Sequence, residues 1–396
     1  MPTRVRSFCK INLGLAVGPG RADGFHALTT AYQTLALHDL VTVRARRGER
    51  TEIRVSADRA GVPRTETGDA ERNTAWKMVA GALRRMGVTA EVEIGIAKRL
   101  PVQGGLGAGS ANAVAALIGL ERELGVALPG PERMRLAAEV GSDVPLFLLG
   151  GTVLGMGRGE EVYPLPDLPG VACVVAVPEV GVSTAAAFRE LDRRMAGGSG
   201  GGEAGAGSES DAASLTSGAD PDRLTKLSCA LAAIWTATGA ELGLSAGSSD
   251  SGPGDFGLAA EPSPSGIAST IRPDQDVGGS GDSPQGGAPA RREDGRGDLA
   301  ENSLLALVRT GIVNDFEEVV FAQHPSLRST KRELMGSESS QALYAALSGS
   351  GSALFGLYRT QADARAAQRR VQASGTQALL TETLPRPEYW RTMLEL

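Results

Sequence analysis

PVQGGLGAGSANAVAAL, residues 101–117, sets a glycine-rich turn directly against an alanine-rich run. Gly104, Gly105, Gly107 and Gly109 carry no Cβ, so the chain there is free to enter left-handed conformations and to gather several N–H groups round one anion. The run from about Ser110 has the composition of a helix, whose first N–H groups and positive dipole end add to the same pull. Alone, the stretch suits either an anion cradle or a surface linker. Upstream, residues 92–97 alternate as a strand, followed by Lys98, Arg99 and Leu100. Strand, glycine turn and helix in that order suit phosphate. Two familiar versions are excluded: no Lys follows the glycines as GxxxxGK[ST] requires, and no GxGxxG is followed by an acidic residue about twenty positions on.

Working outward, residues 5–17 mix β-formers with small residues and stop at Gly18, Pro19 and Gly20, which predicts a strand and a turn. Lys10 and Asn12 are two apart and so share a face of that strand. Residues 24–38, with Phe25, His26 and Tyr32, lead into a second predicted strand at 40–45, and 52–56 reads as a third. Residues 74–86 read as a helix with Asn73 as its N-cap, and 131–140 as a shorter helix closed by Gly141. Asp143 follows at once, between Gly141-Ser142 and an apolar run, as either a turn cap or a carboxylate at the edge of a buried site. His26 alone reads more readily as a structural or solvated residue than as a functional one. GGTVLGMGRG at 150–159 predicts a hairpin or close-packed strand pair, 171–177 a buried strand, and 183–188 the start of a helix capped by Ser183 or Thr184.

From about 196 to 300 the composition changes: 22 of the 53 glycines fall there among Ser, Pro and Asp. Apart from a helical pattern at 224–238, such a stretch buries too little apolar surface to offset ordering entropy, which predicts a disordered insertion. Helical spacing resumes at 304–308 and 315–321, with further helices expected at 339–346 and 362–373 and a Gly-Ser turn into a strand at 347–358.

With 396 residues the chain is long enough for two domains, and 40 Lys and Arg against 46 Asp and Glu leave a net charge of −6. That argues against nucleic-acid or anionic-membrane partners while allowing a local basic pocket. Cys9, Cys173 and Cys229 are widely spaced, in neither zinc-ligand nor disulfide pattern, which implies a cytoplasmic setting. Neither a signal peptide nor a membrane span is expected.

Taken together, SFCKINLGL at 7–15, PVQGGLGAGSANA at 101–113 and LSGSGSALFGLY at 347–358 resemble the three motifs of the GHMP small-molecule kinases, in the family's order. The resemblance covers nearly everything outside the insertion. Residues 21–43, 72–78, 141–162, 178–188 and 314–325 narrow it to members that phosphorylate a sugar alcohol carrying a cytidine diphosphate group. It implies an α+β fold in two domains, 1–165 and 166–396, the first like domain 2 of ribosomal protein S5 with a left-handed crossover, the second ferredoxin-like and interrupted by the insertion, with the site in the cleft between them. By position it makes Asp143 the catalytic base and Lys10 its partner. ATP phosphates then fall on Gly104, Gly105, Leu106, Gly107, Gly109 and Ser110, with Pro101 at the start of the turn and adenine near Asn73 and Lys98. The cytosine falls between Phe25 and Phe188, with His26 at its polar edge, Thr184 close by and Asn12 near the alcohol. Mg²⁺ is expected with ATP, with no ligands identifiable. Two residues depart from the family pattern: Phe25 replaces a usual Tyr, and Ala111 replaces the second of two serines, removing a hydroxyl expected to meet phosphate or magnesium. Homoserine or mevalonate kinases, or an inactive nucleotide-sensing relative, are the competing readings.

Overall fold

The computed structural model describes residues 1–21, 24–102, 104–197, 313–337 and 341–395. The insertion expected at about 196–300, except for its first two residues, and the helices expected at 224–238 and 304–308 lie outside these.

Two sheets organise the described chain. In the first, β1 (Thr3–Gly20) pairs antiparallel with β2 (His26–Arg47), a single 22-residue strand where the sequence predicts one only at 40–45. The strand changes partner along its length: Thr30–Gln33 pair with β5 (Thr152–Met156), and Leu40–Arg47 pair with β4 (Ala90–Ala97). β3 (Glu52–Ala57) lies parallel to β4, joined to it through α1 (Thr74–Met86), and β6 (Glu161–Pro164) completes a hairpin with β5. The second sheet has the order β10 (Gln377–Glu382), β7 (Ala172–Val177), β9 (Leu354–Tyr358), β8 (Tyr344–Leu347), antiparallel throughout.

The alternation along β7 shows how the layers stack. Cys173 and Val175 face Ile11, Leu13 and Leu35 of the first sheet, forming a core between the sheets. Ala172, Val174 and Ala176 face α5 (Phe316–Gln323), α6 (Pro325–Met335) and α7 (Gln361–Ala373) through Phe316, Val320, Leu327, Leu334, Ala364 and Val371. On the far side of the first sheet, Val41, Val43, Val92 and Ile94 bury against α1, α2 (Ala108–Leu124) and α3 (Gly130–Val140). With each buried Leu, Val or Phe contributing roughly 1.5–3 kcal/mol, these three cores hold the layers together. The α+β architecture expected from the motifs is present, and among the described residues no helix is long and apolar enough to cross a membrane.

One expectation is corrected. Residues 344–346, expected to end a helix at 339–346, form β8 together with Leu347, because Tyr344–Leu347 pair with Leu357–Leu354 across the Gly-Ser turn. A non-local ladder outweighs a weak local propensity. The polypeptide also returns on itself: α8 (Arg386–Met393) packs Tyr389 into the first core, and β11 (Leu394–Glu395) pairs with Val5 and Arg4.

Gly119 of α2 crosses β2 so closely that a Cβ there would lie 2.6 Å from Val43 Cγ2 and 2.8 Å from Val43 Cβ. A β-branched residue in a sheet cannot yield, so the overpacking cost of about 1–3 kcal/mol exceeds the roughly 1 kcal/mol of helix propensity gained. Gly119→Ala is therefore expected to lower the thermal midpoint. Gly81→Ala meets only the flexible end of Leu136, at Cδ1, and is expected to leave the midpoint nearly unchanged in the same melting experiment.

Candidate active site

Lys10 lies on β1 with 2% of its surface exposed, and its ammonium meets three acceptors: Asn12 Oδ1 at 2.6 Å, Gly105 O at 2.8 Å and Asp143 Oδ2 at 3.3 Å. Three N–H donors matched to three acceptors offset the cost of burying the charge. The pairing of Lys10 with Asn12 follows from their two-residue spacing on one strand face. Asn12 Nδ2 in turn donates to Thr30 Oγ1 on β2, at 2.8 Å.

Asp143 follows the end of α3 and keeps 35% of its side chain exposed. Its Oδ1 accepts from the Tyr32 hydroxyl at 3.0 Å, so each carboxylate oxygen has one protein donor. Burial, and then the Asp143 charge, push the Tyr32 phenol well above its ordinary range and keep it a proton donor. Sequence reading noted Tyr32 only as one of few aromatics. The signal was in the distant glycine cluster: a Cβ on Gly155 would lie 2.4 Å from Tyr32 Cε2, and one on Gly159 would lie 2.6 Å from its hydroxyl. Cys9, beside Lys10, is no nucleophile, because burial pushes its thiol up to about 12.

The glycine turn lies between Lys10 and the second sheet. Gly104, Gly105 and Gly107 all have positive φ, at 128°, 81° and 69°. Their carbonyls are taken by protein: Gly104 O accepts from Ala353 N, Gly105 O from Lys10 Nζ and Ser348 Oγ, Leu106 O from Lys10 N, and Gly107 O from Ala111 N. The amides of residues 104–107 donate to no acceptor among the described residues. They continue into α2, which starts at Ala108, two residues before the expected Ser110, with no side-chain cap on its N-terminus. Carbonyls satisfied and amides left over make an anion nest joined to a 17-residue helix dipole. Ala111 is buried in the first core, so the family's extra hydroxyl at this position would face packing atoms. The structure gives it a core role where the sequence suggested a lost phosphate contact.

Lys10, Asn12, Gly104, Gly105 and Asp143 line one cavity of about 770 Å³, with Phe25, His26, Thr184 and Phe188 at another part of its wall. α4 (Thr184–Gly197) supplies Thr184, whose hydroxyl meets Ser350 Oγ at 2.8 Å, and Phe188. Phe188 stacks on His26, ring centroids 4.7 Å apart, while Phe25 is 49% exposed with the Arg158 guanidinium 4.9 Å from its ring. The His26 ring thus occupies a face of Phe188 that sequence reading reserved for a base. His26 Nε2 lies 2.6 Å from Asp192 Oδ1. A carboxylate only accepts, so Nε2 carries a proton and donates it, and whenever the ring holds that proton alone Nδ1 is an acceptor. Arg158, Ser142, Gly349, Ser350 and Gly351 also line the cavity and were not singled out from sequence.

Asn73 and Lys98, expected near adenine, have their polar atoms engaged elsewhere. Asn73 accepts from Ala75 N as the cap of α1 and donates to Pro63 O. Lys98 Nζ is buried against Asp39 Oδ2. Pro101, Leu106, Gly107, Gly109 and Ser110 are not among the residues that line the cavity.

The GHMP kinases N terminal domain matches residues 73–151, and the GHMP kinases C terminal domain matches 295–377. A 4-diphosphocytidyl-2-C-methyl-D-erythritol kinase from Solibacter usitatus (strain Ellin6076) is 31% identical over 376 residues, 94% of this chain and 85% of that protein. The chain belongs to the GHMP kinases. Within them it falls in the 4-diphosphocytidyl-2-C-methyl-D-erythritol kinase family, whose members include a protein from Salinispora tropica, 42% identical over 50% of this chain and 62% of its own length. A crystal structure of 4-(cytidine 5'-diphospho)-2C-methyl-D-erythritol kinase superposes with a TM-score of 0.58 at 20% identity, covering 96% of this chain and 98% of that one, and shows the same fold. Phosphotransfer from ATP is the chemistry of this GHMP kinase family.

At Gly105 a Cβ would lie 2.1 Å from Ser348 O, a backbone atom, at a φ of 81°. Gly105→Ala must therefore move the turn. It is expected to weaken ATP binding by about tenfold or more, roughly 1.4 kcal/mol, in a calorimetric titration.

Proposed function

We propose that this GHMP kinase transfers the γ-phosphoryl group of ATP to the 2-hydroxyl of 4-diphosphocytidyl-2-C-methyl-D-erythritol, in the methylerythritol phosphate route to isopentenyl diphosphate. The observation that carries the reading is the Lys10–Asp143 pair, 3.3 Å apart, in one cavity with the 104–105 turn and with Phe25, His26 and Phe188. Asp143 takes the proton of the attacking hydroxyl. The oxygen bonds to the γ-phosphorus as the bond to the ADP oxygen breaks. Lys10 neutralises charge on the transferred group, and Tyr32 and Lys10 together fix the carboxylate. Proton removal is worth roughly 10²- to 10⁴-fold, so alignment and charge neutralisation supply most of the rate.

The amides of 104–107 and the first turn of α2, through Gly109 and Ser110, receive the phosphates. A Mg²⁺ ion travelling with ATP would be held chiefly by the phosphates themselves; Asp143, which already accepts from Tyr32 and pairs with Lys10, is kept for the proton, and no side chain is assigned to the ion. Among the described residues no group of three or more His, Cys, Asp or Glu side chains stands ready to hold a metal alone. When bound, the ion neutralises phosphate charge. At the far wall the cytosine stacks on Phe25 and presents its amino group to His26 Nδ1, with Phe188 and Thr184 beside it and Asn12 near the alcohol. Adenine lies near the chain around Asn73 and Lys98, met by backbone groups. The setting is cytoplasmic, and the 1–165 and 166–396 division gives the two walls of the cleft.

Homoserine and mevalonate would leave the aromatic wall unused, and an inactive sensor would need neither Lys10 nor Asp143. An ADP-release assay across the three alcohols is expected to show turnover with the cytidyl compound alone; turnover of mevalonate and not of that compound would overturn the assignment. Asp143→Asn is expected to lower kcat by about 10²-fold or more with ATP affinity kept. An unchanged rate would remove Asp143 from its role.

A further inference from the structure

Asp39 takes no part in the mechanism above, yet it is the most completely hydrogen-bonded carboxylate near the site. It lies on β2 with 0% exposure. Oδ1 accepts from Arg99 N and Leu100 N, both at 2.8 Å. Oδ2 accepts from Lys98 Nζ and, at 3.3 Å, from Asn112 Nδ2.

These donors come from two places. Lys98, Arg99 and Leu100 are the segment that runs into the glycine turn, and Asn112 lies in the second turn of α2, the helix that leaves it. One carboxylate thus holds both stems of the turn. Stability alone does not require a charge there: taking an ion pair out of water costs several kcal/mol, and well-packed apolar side chains of similar volume are often as stable. What four hydrogen bonds to two oxygens give, and apolar packing does not, is direction. They fix the path of 98–100 relative to the axis of α2, and so the direction of the amides at 104–107. Among the described residues the Asn112 side chain makes no other hydrogen bond, its Oδ1 being buried without a partner.

We infer that Asp39 is a positioning residue for ATP, holding the two stems of the glycine turn so that its amides converge on the phosphates, a role that rests on the kinase reading and extends it to the first sheet. It does so through the backbone, without touching nucleotide.

Asp39→Asn preserves shape but removes the charge that pairs with Lys98 and turns one acceptor into a donor. ATP Kd by calorimetry and the KM of each substrate separate the possibilities. The expected result is an ATP Kd raised about tenfold or more, with KM for the alcohol within about twofold of wild type. An ATP Kd within about twofold of wild type, whatever happens to the melting temperature, would make Asp39 merely structural and overturn the inference. Should Asp39→Asn not fold, Asn112→Ala cuts only the tie to α2 and leaves Lys98 and the two amides in place. Its ATP Kd is expected to rise about threefold, and no change would count equally against the inference. A wild-type chain that bound no ATP would instead remove the kinase reading itself.

Discussion

A single buried ammonium sets the geometry on which the site depends. Lys10 Nζ reaches Asn12 on its own strand, Gly105 O in the glycine turn and Asp143 after α3. Each partner comes from a different part of the chain, and the cost of leaving any of them unpaired in a buried setting enforces their convergence. The Lys10 backbone N–H adds a bond to Leu106 O, so one residue holds the turn by both main chain and side chain. The second sheet closes the arrangement from its other side, through Ser348 Oγ on Gly105 O and Ala353 N on Gly104 O. The turn is consequently stretched between both sheets, its carbonyls claimed by protein while Gly104 and Gly105 line the cavity.

Much of this was legible in the sequence where the cause is local. α1 begins after Asn73, whose side chain caps it, and ends before Gly87 in a left-handed conformation. Lys10 and Asn12 share a face because strands alternate. The long-range features were not legible. β8 is a strand only because β9 comes back beside it. The family resemblance put adenine near Lys98, while the partner of its ammonium, Asp39, lies 59 positions earlier and no spacing signals it. Phe25 and Phe188 both line the cavity, but the stacking of His26 on Phe188 depends on side-chain geometry that no spacing encodes.

The cluster GGTVLGMGRG shows most plainly how glycine reports on residues elsewhere. Beyond the room that Gly155 and Gly159 leave for Tyr32, a Cβ on Gly150 would lie 2.3 Å from Tyr389 Cδ1, and one on Gly151 would lie 2.8 Å from Arg386 Cβ. The hairpin therefore accommodates β2 through one pair of glycines and α8 through another. A small residue in one place is the imprint of a large one in another, which is why the spacing suggested close packing but not what was packed.

The pairing of Arg4 and Val5 with Glu395 and Leu394 has a consequence for the order of assembly. As the polypeptide emerges from a ribosome, β1 can find β2 early, within a few tens of residues. At Arg4 and Val5 its other edge waits until β11 is made, while farther along Lys10 N bonds to Leu106 O and Leu15 meets Asn314. Until residues 394–395 emerge, that end of the strand is an unsatisfied edge, the feature by which partly folded chains associate wrongly with one another. The two-residue ladder is short, but its formation marks the moment at which the nascent protein stops offering those groups to its neighbours.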